Sequence, residues 1–204
     1  MKLNLGCGAH VVEGWTNVDY SPGARFSRVP LLRAVNKKLR VFELDWDDRI
    51  CIHNLTRPFP WKDAEADIAY TSHTLEHLSK EDGIAFLKEC HRVLKTNGII
   101  RIIVPDLACI VKAYCDRHLR ADEFLEKLGV LYGKSANPIK SLLIPFVQFP
   151  HKCMYDTPTL VAILSDIGFN ASGRSPFESE IDGIAEMEIP GRTEDAVIVE
   201  GRKK

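Results

Sequence analysis

The sequence has no excess of either charge and no long apolar run, and these absences exclude several classes of protein. Its 27 Lys and Arg residues oppose 28 Asp and Glu residues, for a formal net charge of −1. We therefore expect no nucleic-acid partner and no anionic-membrane partner, because both favour a basic surface. The most apolar stretches, residues 99–105 and 142–150, are too short to cross a bilayer and are broken by Arg101 and Pro145.

Paired cysteines are also missing, and we expect no export signal. The six cysteines are spread along the chain with no Cys-x-x-Cys spacing. Because the first residues carry no apolar run of the signal-peptide kind, we expect a cytoplasmic protein with reduced thiols. The 204 residues, 45% of them hydrophobic, suit one compact domain with a sizeable core.

Short apolar strands alternate with helical segments along the chain, which is typical of an α/β sheet. The pattern predicts strands over residues 2–5, 15–19, 49–53, 66–70, 99–104, 169–174 and 196–200. Helical spacing and capping residues predict a helix from Ser79 to Asn97–Gly98, one long helix or two over 107–131, and a helix from Thr157 to Gly168. The nearly continuous apolar strand at 99–104 indicates a buried parallel strand.

Two segments interrupt this alternation. Residues 20–45 carry scattered basic side chains, and we interpret them as a solvated insertion between strands, with a helix possible over 31–38. Residues 133–155 are irregular, with three prolines among apolar and aromatic residues. They could form a lid over an acceptor site, a cover for the sheet or a dimer contact. The domain prediction is a single unit over 1–204 that includes both segments.

A glycine-rich turn follows the first predicted strand. Residues 6–8, Gly-Cys-Gly, end that strand, and two residues without a Cβ atom allow a ligand to approach the backbone closely. The same turn is also common without any ligand. A dinucleotide fingerprint needs a third glycine, where this chain has Val11, and an acid about twenty residues on, whereas Asp19 follows sooner. The spacing therefore disfavours NAD.

Polar side chains end the second and third predicted strands. The carboxylate of Asp19 can accept hydrogen bonds from both hydroxyls of a ribose, or it can cap a nearby turn. The amide of Asn54 can recognise an adenine edge, or it can form an Asx turn before the proline-rich loop. Ligands bind at the carboxyl ends of strands in open α/β sheets. The order of glycine turn, Asp19 and Asn54 therefore indicates a site for an adenosine group.

With further motifs, these residues resemble class I S-adenosylmethionine-dependent methyltransferases, and among them the small enzymes associated with polysaccharide or cell-surface glycan synthesis. The resemblance covers nearly the whole chain. The most specific motif is Ser-His-x-Leu-Glu-His at residues 72–77. The other carriers are residues 3–8, 14–19, 53–55, 58–60, 66–71, 93–98, 104–107, 151–152, 155–156 and 164–169.

The resemblance implies a Rossmann-like, mostly parallel seven-stranded sheet with an antiparallel last strand and helices on both faces. It also implies S-adenosylmethionine as the cofactor. It implies that Gly6, Cys7 and Gly8 lie beside the methionyl and ribose parts of the cofactor and that Asp19 binds the ribose hydroxyls. Asn54 and Leu55 would contact the adenine, and Ser72 would line the methyl-donor end.

Three positions depart from the family pattern. Asn4 stands where an acid is common, Asn54 stands where an aspartate is common, and His10 occupies the third glycine position of the loop. Both asparagines can still form hydrogen bonds, so these changes imply weaker cofactor binding and not its loss. The His10 side chain could narrow the methionine pocket or point to solvent.

The catalytic candidates follow from the chemistry of methyl transfer. Displacement at a sulfonium is in line, so the protein mainly aligns donor and acceptor. A hydroxyl acceptor gains from a general base, a role that suits His73, His77 or His151 near neutral pH. Asp106 could bind an acceptor hydroxyl or cap the next helix, and His77 could simply anchor its turn into the sheet.

The order His73-x-x-Glu76-His77 also resembles the ligands of some zinc proteases. Here it follows a strand and not a helical pattern, so we predict no metal site. The sequence thus predicts methyl transfer to a small polar acceptor, such as a hydroxyl of a sugar or glycan precursor. The alternative is a non-catalytic module that binds a nucleoside or a partner protein. The glycan acceptor rests on analogy alone, and the oligomeric state is open.

Overall fold

In the computed structural model, which describes residues 1–29, 46–133 and 148–204, seven strands form one sheet. Their spatial order is β3-β2-β1-β4-β5-β7-β6. Strand β7 pairs antiparallel with β5 and β6, whereas the pairs among β1 to β5 are parallel. The strands are β1 (Lys2–Leu5), β2 (Thr16–Asp19), β3 (Cys51–Ile52), β4 (Ala66–Ser72), β5 (Leu94–Pro105), β6 (Phe169–Gly173) and β7 (Ala196–Lys203).

Helices connect these strands. They are α1 (Pro22–Ser27), α2 (Lys80–Val93), α3 (Leu107–Cys115), α4 (Ala121–Lys127), α5 (Thr157–Ile167), α6 (Ile184–Met187) and α7 (Pro190–Thr193), with a 3₁₀ turn at Leu75–His77. The predicted cap Ser79, and Asp106 in one of its two predicted roles, accept hydrogen bonds in the first turns of α2 and α3, and Asp156 does the same for α5. Within the described ranges, no helix is both long and apolar enough to cross a membrane.

The alternation of side chains along β5 separates two apolar cores, one on each face of the sheet. Ile100 and Ile102 belong to the larger core, which α2 and α5 cover. Ile99 and Ile103 belong to a second core, which residues 181–187 close. The second face is therefore covered by a loop and short helices near the C-terminus. The prediction of helices on both faces is confirmed, with short helices on the second face.

Arg101 lies on the second face of β5 and its side chain is fully buried. Its Nε donates to Glu188 Oε1 at 2.6 Å, and its Nη1 donates to Glu200 Oε2 at 3.1 Å. The carbonyls of Ser175 and Glu178 accept two further hydrogen bonds from the guanidinium. A buried cation with these partners is well satisfied. The network ties β5 to β7 and to the segment that closes the second core.

Strand β3 is shorter than the sequence predicts. It comprises Cys51–Ile52 and not residues 49–53, because a turn directly precedes it. In that turn Ile50 N donates to Asp47 O, and the Arg49 guanidinium pairs with the Asp47 carboxylate. Arg49 and Ile50, which the predicted strand includes, therefore belong to the turn.

The end of α2 is also different from the prediction. The helix ends at Val93, and β5 begins at once at Leu94. Asn97 does have the positive φ expected of a left-handed residue, 63°, but it lies within β5, where the register with β4 shifts. The Asn-Gly pair therefore marks an irregularity in the strand and not a helix cap. The 107–131 segment forms two helices, one of the two predicted possibilities.

The described part of the predicted insertion is buried on one side. Residues 22–27 form α1, and Gly23, Ala24 and Ser27 are buried in it. A Cβ on Gly23 would lie 2.2 Å from Trp46 Nε1, so this side of the helix packs tightly against the returning chain. The basic residues Arg25 and Arg28 are exposed to solvent, as expected of a solvated excursion. The helix considered over 31–38 lies outside the described residues, and the division into domain, insertion and lid stays a prediction.

Removing the Arg101 guanidinium should destabilise the fold strongly. We expect Arg101→Ala to lower the free energy of unfolding by about 3–5 kcal/mol, because two buried carboxylates lose their counter-charge. Urea denaturation measures this loss. Lys112→Ala, which removes an exposed ion pair with Asp116, is the control and should change little. Equal stability of the two variants would contradict the role given to Arg101.

Candidate active site

The glycine turn after β1 brings the backbone close to the loop that follows β4. Gly6 has φ 76° and Gly8 has φ 57°, values that L side chains rarely adopt. A Cβ on Gly6 would lie 2.1 Å from Thr74 Oγ1, so only glycine fits there. A Cβ on Gly8 would meet no atom within 4 Å. Gly8 therefore borders open space, where a ligand can reach the backbone.

The carboxylate of Asp19 holds this turn in place. Gly8 N donates to its Oδ2 at 2.9 Å, and Ser21 N donates to its Oδ1 at 2.7 Å. The residue is buried, at 8% exposure. Because an ionised carboxylate has about four acceptor positions, two remain for other donors. Asp19 can thus act as predicted, as an acceptor for ribose hydroxyls, while it also fixes the turn.

A pair of buried amides, which the sequence analysis missed, shapes the rest of the loop. Asn4 Nδ2 donates to Asn17 Oδ1 at 2.8 Å and to His10 O at 3.2 Å. The Asn17 amide in turn donates to the carbonyls of Val12 and Trp15. Asn4 stands at a position where the family pattern has an acid. Here its side-chain hydrogen bonds stabilise the loop itself.

A cleft of about 240 Å³, counted with its open mouth, lies between the glycine turn and β4. Alternation in the strands places Asn4, Tyr70 and Ser72 on this side of the sheet, while Leu3 and Leu5 enter the larger core. The cleft is lined by Asn4, Gly6, Cys7, His10, Tyr70, Ser72, Met187, Ile189 and Arg192.

The C-terminal segment forms a wall of this cleft that no sequence motif indicated. His10 Nε2 lies 3.2 Å from Glu186 O, so this side chain borders the cleft and is not directed away into solvent. Tyr70 OH donates to Met187 O at 3.3 Å. Burial raises the pKa of Tyr70 to about 12, so its hydroxyl stays a donor at neutral pH. Arg192 is exposed at the same wall.

The residues predicted to bind adenine are placed less directly. Asn54 Oδ1 accepts hydrogen bonds from Thr56 N and Thr56 Oγ1, at 3.0 and 2.9 Å, which is the Asx-turn alternative. Leu55 is buried in the larger core, so any contact with adenine would involve its backbone. His53 N donates to Asp19 O at 3.3 Å, so this loop still lies next to Asp19, the residue predicted to bind the ribose.

Cys7 lies at the centre of the turn and is buried. Burial, together with the negative charge of Asp19, raises the pKa of its thiol to about 12. The thiol is therefore not a nucleophile at neutral pH. It packs with Ala24 of α1 and with Ile50, so that the start of the predicted insertion supports the floor of the site.

Beyond β4, the specific motif folds into a compact polar cluster. Glu76 is fully buried, and its Oε1 lies 3.3 Å from His73 Nδ1. His73 Nε2 lies 2.9 Å from Arg192 O, so both of its ring nitrogens are engaged. Burial favours the neutral ring, but the contacts with Glu76 and the Arg192 carbonyl outweigh it and raise the pKa of His73. His73 thus positions its neighbours and has no free lone pair for a base.

His151 joins the same cluster from a distant part of the chain. Its ring lies 5.0 Å from that of His77, centroid to centroid, and its Nε2 lies 4.0 Å from Glu76 Oε1. One nitrogen of each ring and one oxygen of Glu76 all lie within 4.8 Å of one another. Burial lowers the pKa of His77 and favours its neutral form. The prediction of no metal site considered residues 73–77 alone, because sequence spacing does not indicate that His151 is near.

Asp106 does not lie in this cluster. Its Oδ1 accepts from Ala108 N at 2.8 Å and caps α3, as one of the two predicted alternatives had it. The described residues that line the cleft do not include it. The binding of an acceptor hydroxyl by Asp106 stays a prediction that the geometry does not favour.

Residues 3–102 match a family model described as a methyltransferase domain. The match extends from β1 into β5 and takes in the glycine turn, Asp19 and the polar motif after β4. The first half of the chain thus carries a methyltransferase domain, and the sheet has the strand order of class I S-adenosylmethionine-dependent methyltransferases. The fold class and the cofactor are thereby confirmed, and a non-catalytic module is not favoured. A particular likeness to glycan-associated enzymes is not supported.

Solved structures share the fold of the methyltransferase. A SAM-dependent methyltransferase from Methanosarcina mazei has a TM-score of 0.54 and 15% identity, over 98% of this chain and 91% of that one. YcgJ from Bacillus subtilis has a TM-score of 0.53 and 13% identity, over 99% and 91% of the two chains. PH0226 from Pyrococcus horikoshii has a TM-score of 0.52 and 15% identity, over 99% and 81%. No curated protein matches the sequence significantly.

The two glycines of the turn should respond differently to alanine. Gly6→Ala should lose more than 2 kcal/mol of stability by rough estimate, since the left-handed backbone costs about 1–2 kcal/mol and Thr74 must also move. Gly8→Ala should lose only the backbone part, but it should weaken binding of S-adenosylhomocysteine, because its Cβ enters the space that the cofactor needs. Thermal unfolding and calorimetry measure both effects.

Gly191→Ala provides the control for this pair, because a Cβ there meets nothing within 4 Å and the backbone is not left-handed. It should leave stability unchanged. Wild-type affinity in Gly8→Ala would place the cofactor away from the turn.

Proposed function

We propose that this methyltransferase transfers its methyl group to a hydroxyl oxygen of a small polar acceptor, with sugars and glycan precursors as the first class to test. The observation that carries the proposal is the buried polar cluster beyond β4, formed by His73, Glu76, His77 and His151. It lies directly next to the end of the cofactor cleft, because His73 contacts both Glu76 and the Arg192 carbonyl. A carboxylate and two imidazoles are suited to bind and deprotonate a hydroxyl.

The cofactor residues fit S-adenosylmethionine on the geometry of this chain. Gly8 has no Cβ and borders open space, so the cofactor can approach its backbone closely. The remaining acceptor positions of Asp19 suit the two ribose hydroxyls. The exposed guanidinium of Arg192, at the wall of the cleft, would pair with the carboxylate of the methionine part.

The chain's own groups would then act on the acceptor. The bound cofactor supplies an electrophilic methyl group on a sulfonium, so no protein nucleophile is required. The buried cluster would hold the acceptor hydroxyl and receive its proton, while the C-terminal wall would border the bound cofactor. His73 orients Glu76 and does not exchange the proton, because its two nitrogens are already engaged.

Two variants should separate the ribose contact from the carboxylate contact. Asp19→Asn removes the negative charge and should weaken binding of both S-adenosylhomocysteine and adenosine by at least about tenfold, the loss of one charge-assisted hydrogen bond. Arg192→Ala should weaken S-adenosylhomocysteine by a similar factor and leave adenosine unchanged, since adenosine has no carboxylate. Isothermal titration calorimetry measures all four affinities.

Asp182→Asn is the matched control for the loss of an exposed acid elsewhere on the chain and should bind both ligands as the wild type does. Wild-type binding by Asp19→Asn would refute the placement of the ribose. Equal losses for both ligands in Arg192→Ala would assign that residue a structural role.

Radiolabelled methyl transfer from S-adenosylmethionine to a panel of acceptors tests the proposed substrate class. The panel contains free sugars, sugar phosphates, nucleotide sugars, phenols and amines. We expect transfer to hydroxyl-bearing members, with no transfer to amines, because the cluster offers hydrogen-bond acceptors for an O–H group. Product mass spectrometry identifies the methylated atom. Transfer to nitrogen alone would overturn the proposal while leaving the methyltransferase assignment intact.

A further inference from the structure

We propose that Glu76, His77 and His151 bind one divalent transition-metal ion on the acceptor side of the cofactor cleft. One ligand atom from each residue lies within 4.8 Å of the other two, a spacing that a small inward adjustment of the side chains around an ion can close. The binding site is inferred from these residues alone. Its role in catalysis rests on the proposed function.

Glu76 is the first reason for this proposal. The residue has 0% exposure, and within the described ranges neither carboxylate oxygen has a partner of hydrogen-bond geometry. The nearest ring nitrogens are His73 Nδ1 at 3.3 Å and His151 Nε2 at 4.0 Å from Oε1. Buried carboxylates are costly unless they are paired, hydrogen-bonded or bound to a metal. The open positions on Glu76 are therefore those of a ligand.

His151 is oriented as metal-binding histidines usually are. Its Nδ1 lies 2.7 Å from Leu128 O, which assigns the proton to Nδ1 and leaves the lone pair on Nε2 directed at Glu76. A ligating imidazole normally donates its other N–H to a carbonyl or carboxylate in this way. Gly129 accommodates the ring, because a Cβ there would lie 2.6 Å from His151 Nδ1.

The backbone holds the ligands together without help from an ion. Lys152 N and Cys153 N donate to Glu76 O at 2.8 and 3.1 Å, and His151 N donates to Gly129 O at 2.9 Å. His77 contributes a buried Nδ1 that has no hydrogen-bond partner within the described ranges. The site is thus largely preformed, and its three side chains come from two loops far apart in sequence.

The donor set indicates the class of ion. Two imidazoles and one carboxylate suit Zn²⁺, Mn²⁺, Fe²⁺ or Co²⁺, whereas Ca²⁺ and Mg²⁺ prefer oxygen ligands. Three protein ligands leave positions free for an acceptor oxygen, and a bound cation lowers the pKa of a coordinated hydroxyl. With an ion bound, these three side chains would be ligands and would no longer serve as the base, so the hydroxyl proton would pass to water. The oxygen would form the new O–CH₃ bond, and the S–CH₃ bond would break with its electron pair left on sulfur.

Metal titration of the full-length chain, first stripped with a chelator, tests the site. We expect equilibrium dialysis to show one Zn²⁺ per chain and Co²⁺ to give visible d–d absorption without a thiolate charge-transfer band. Glu76→Gln, His77→Asn and His151→Ala should each weaken binding at least tenfold. His118→Ala removes an exposed imidazole and should bind like the wild type. Circular dichroism verifies the fold, and the variants that remain folded decide the outcome.

Saturable binding that is lost in the three variants supports the proposal. Absence of saturable binding in the wild type, or equal affinity in the folded variants and the wild type, overturns it. Calorimetry with S-adenosylhomocysteine on the same samples separates this result from the proposed function. Glu76→Gln should still bind S-adenosylhomocysteine but should bind the metal ion weakly. Asp19→Asn should still bind the metal ion but should bind S-adenosylhomocysteine weakly.

Discussion

The close approach of Gly6 to Thr74 is the contact on which the geometry of the site depends. It brings the end of β1 against the loop after β4, and no side chain larger than hydrogen fits between them. Thr74 Oγ1 completes the contact by donating to the carbonyls of Gly6 and Ser72 at 3.4 and 3.3 Å. Because the glycine turn carries the predicted cofactor residues and the β4 loop carries the polar cluster, this one contact sets the distance between the two.

The buried charge of Arg101 connects the fold to the same cleft. Its partners Glu188 and Glu200 and the carbonyls of residues 175 and 178 hold the C-terminal segment against the second face of the sheet. That segment supplies Met187, Ile189 and Arg192 to the cleft wall. Arg101 interrupts the apolar pattern of the central strand, and its buried charge therefore fixes a wall of the cleft, beside the second core that residues 181–187 close.

Local features were predictable from the sequence and distant contacts were not. The strand ends, the glycine turn and Asp19 follow from short-range alternation, missing Cβ atoms and the rule that ligands bind at the carboxyl ends of strands. Asn97 showed how a correct local preference can mislead, since its left-handed backbone lies in a strand irregularity. The contact between Glu76 and His151, and the use of Arg192 in the cleft, depend on tertiary packing, and only folded geometry reveals them.

His73 links the two halves of the site and makes their coupling a physical necessity. Its backbone is left-handed, at φ 51°, which costs energy for a residue other than glycine and persists only where the surroundings impose it. The ring joins the Arg192 carbonyl on one side to the Glu76 carboxylate on the other, at 2.9 and 3.3 Å. Any shift of the C-terminal wall would therefore move His73, and with it the contact that orients Glu76. The polar cluster is in this way aligned by a residue that also contacts the wall of the cleft.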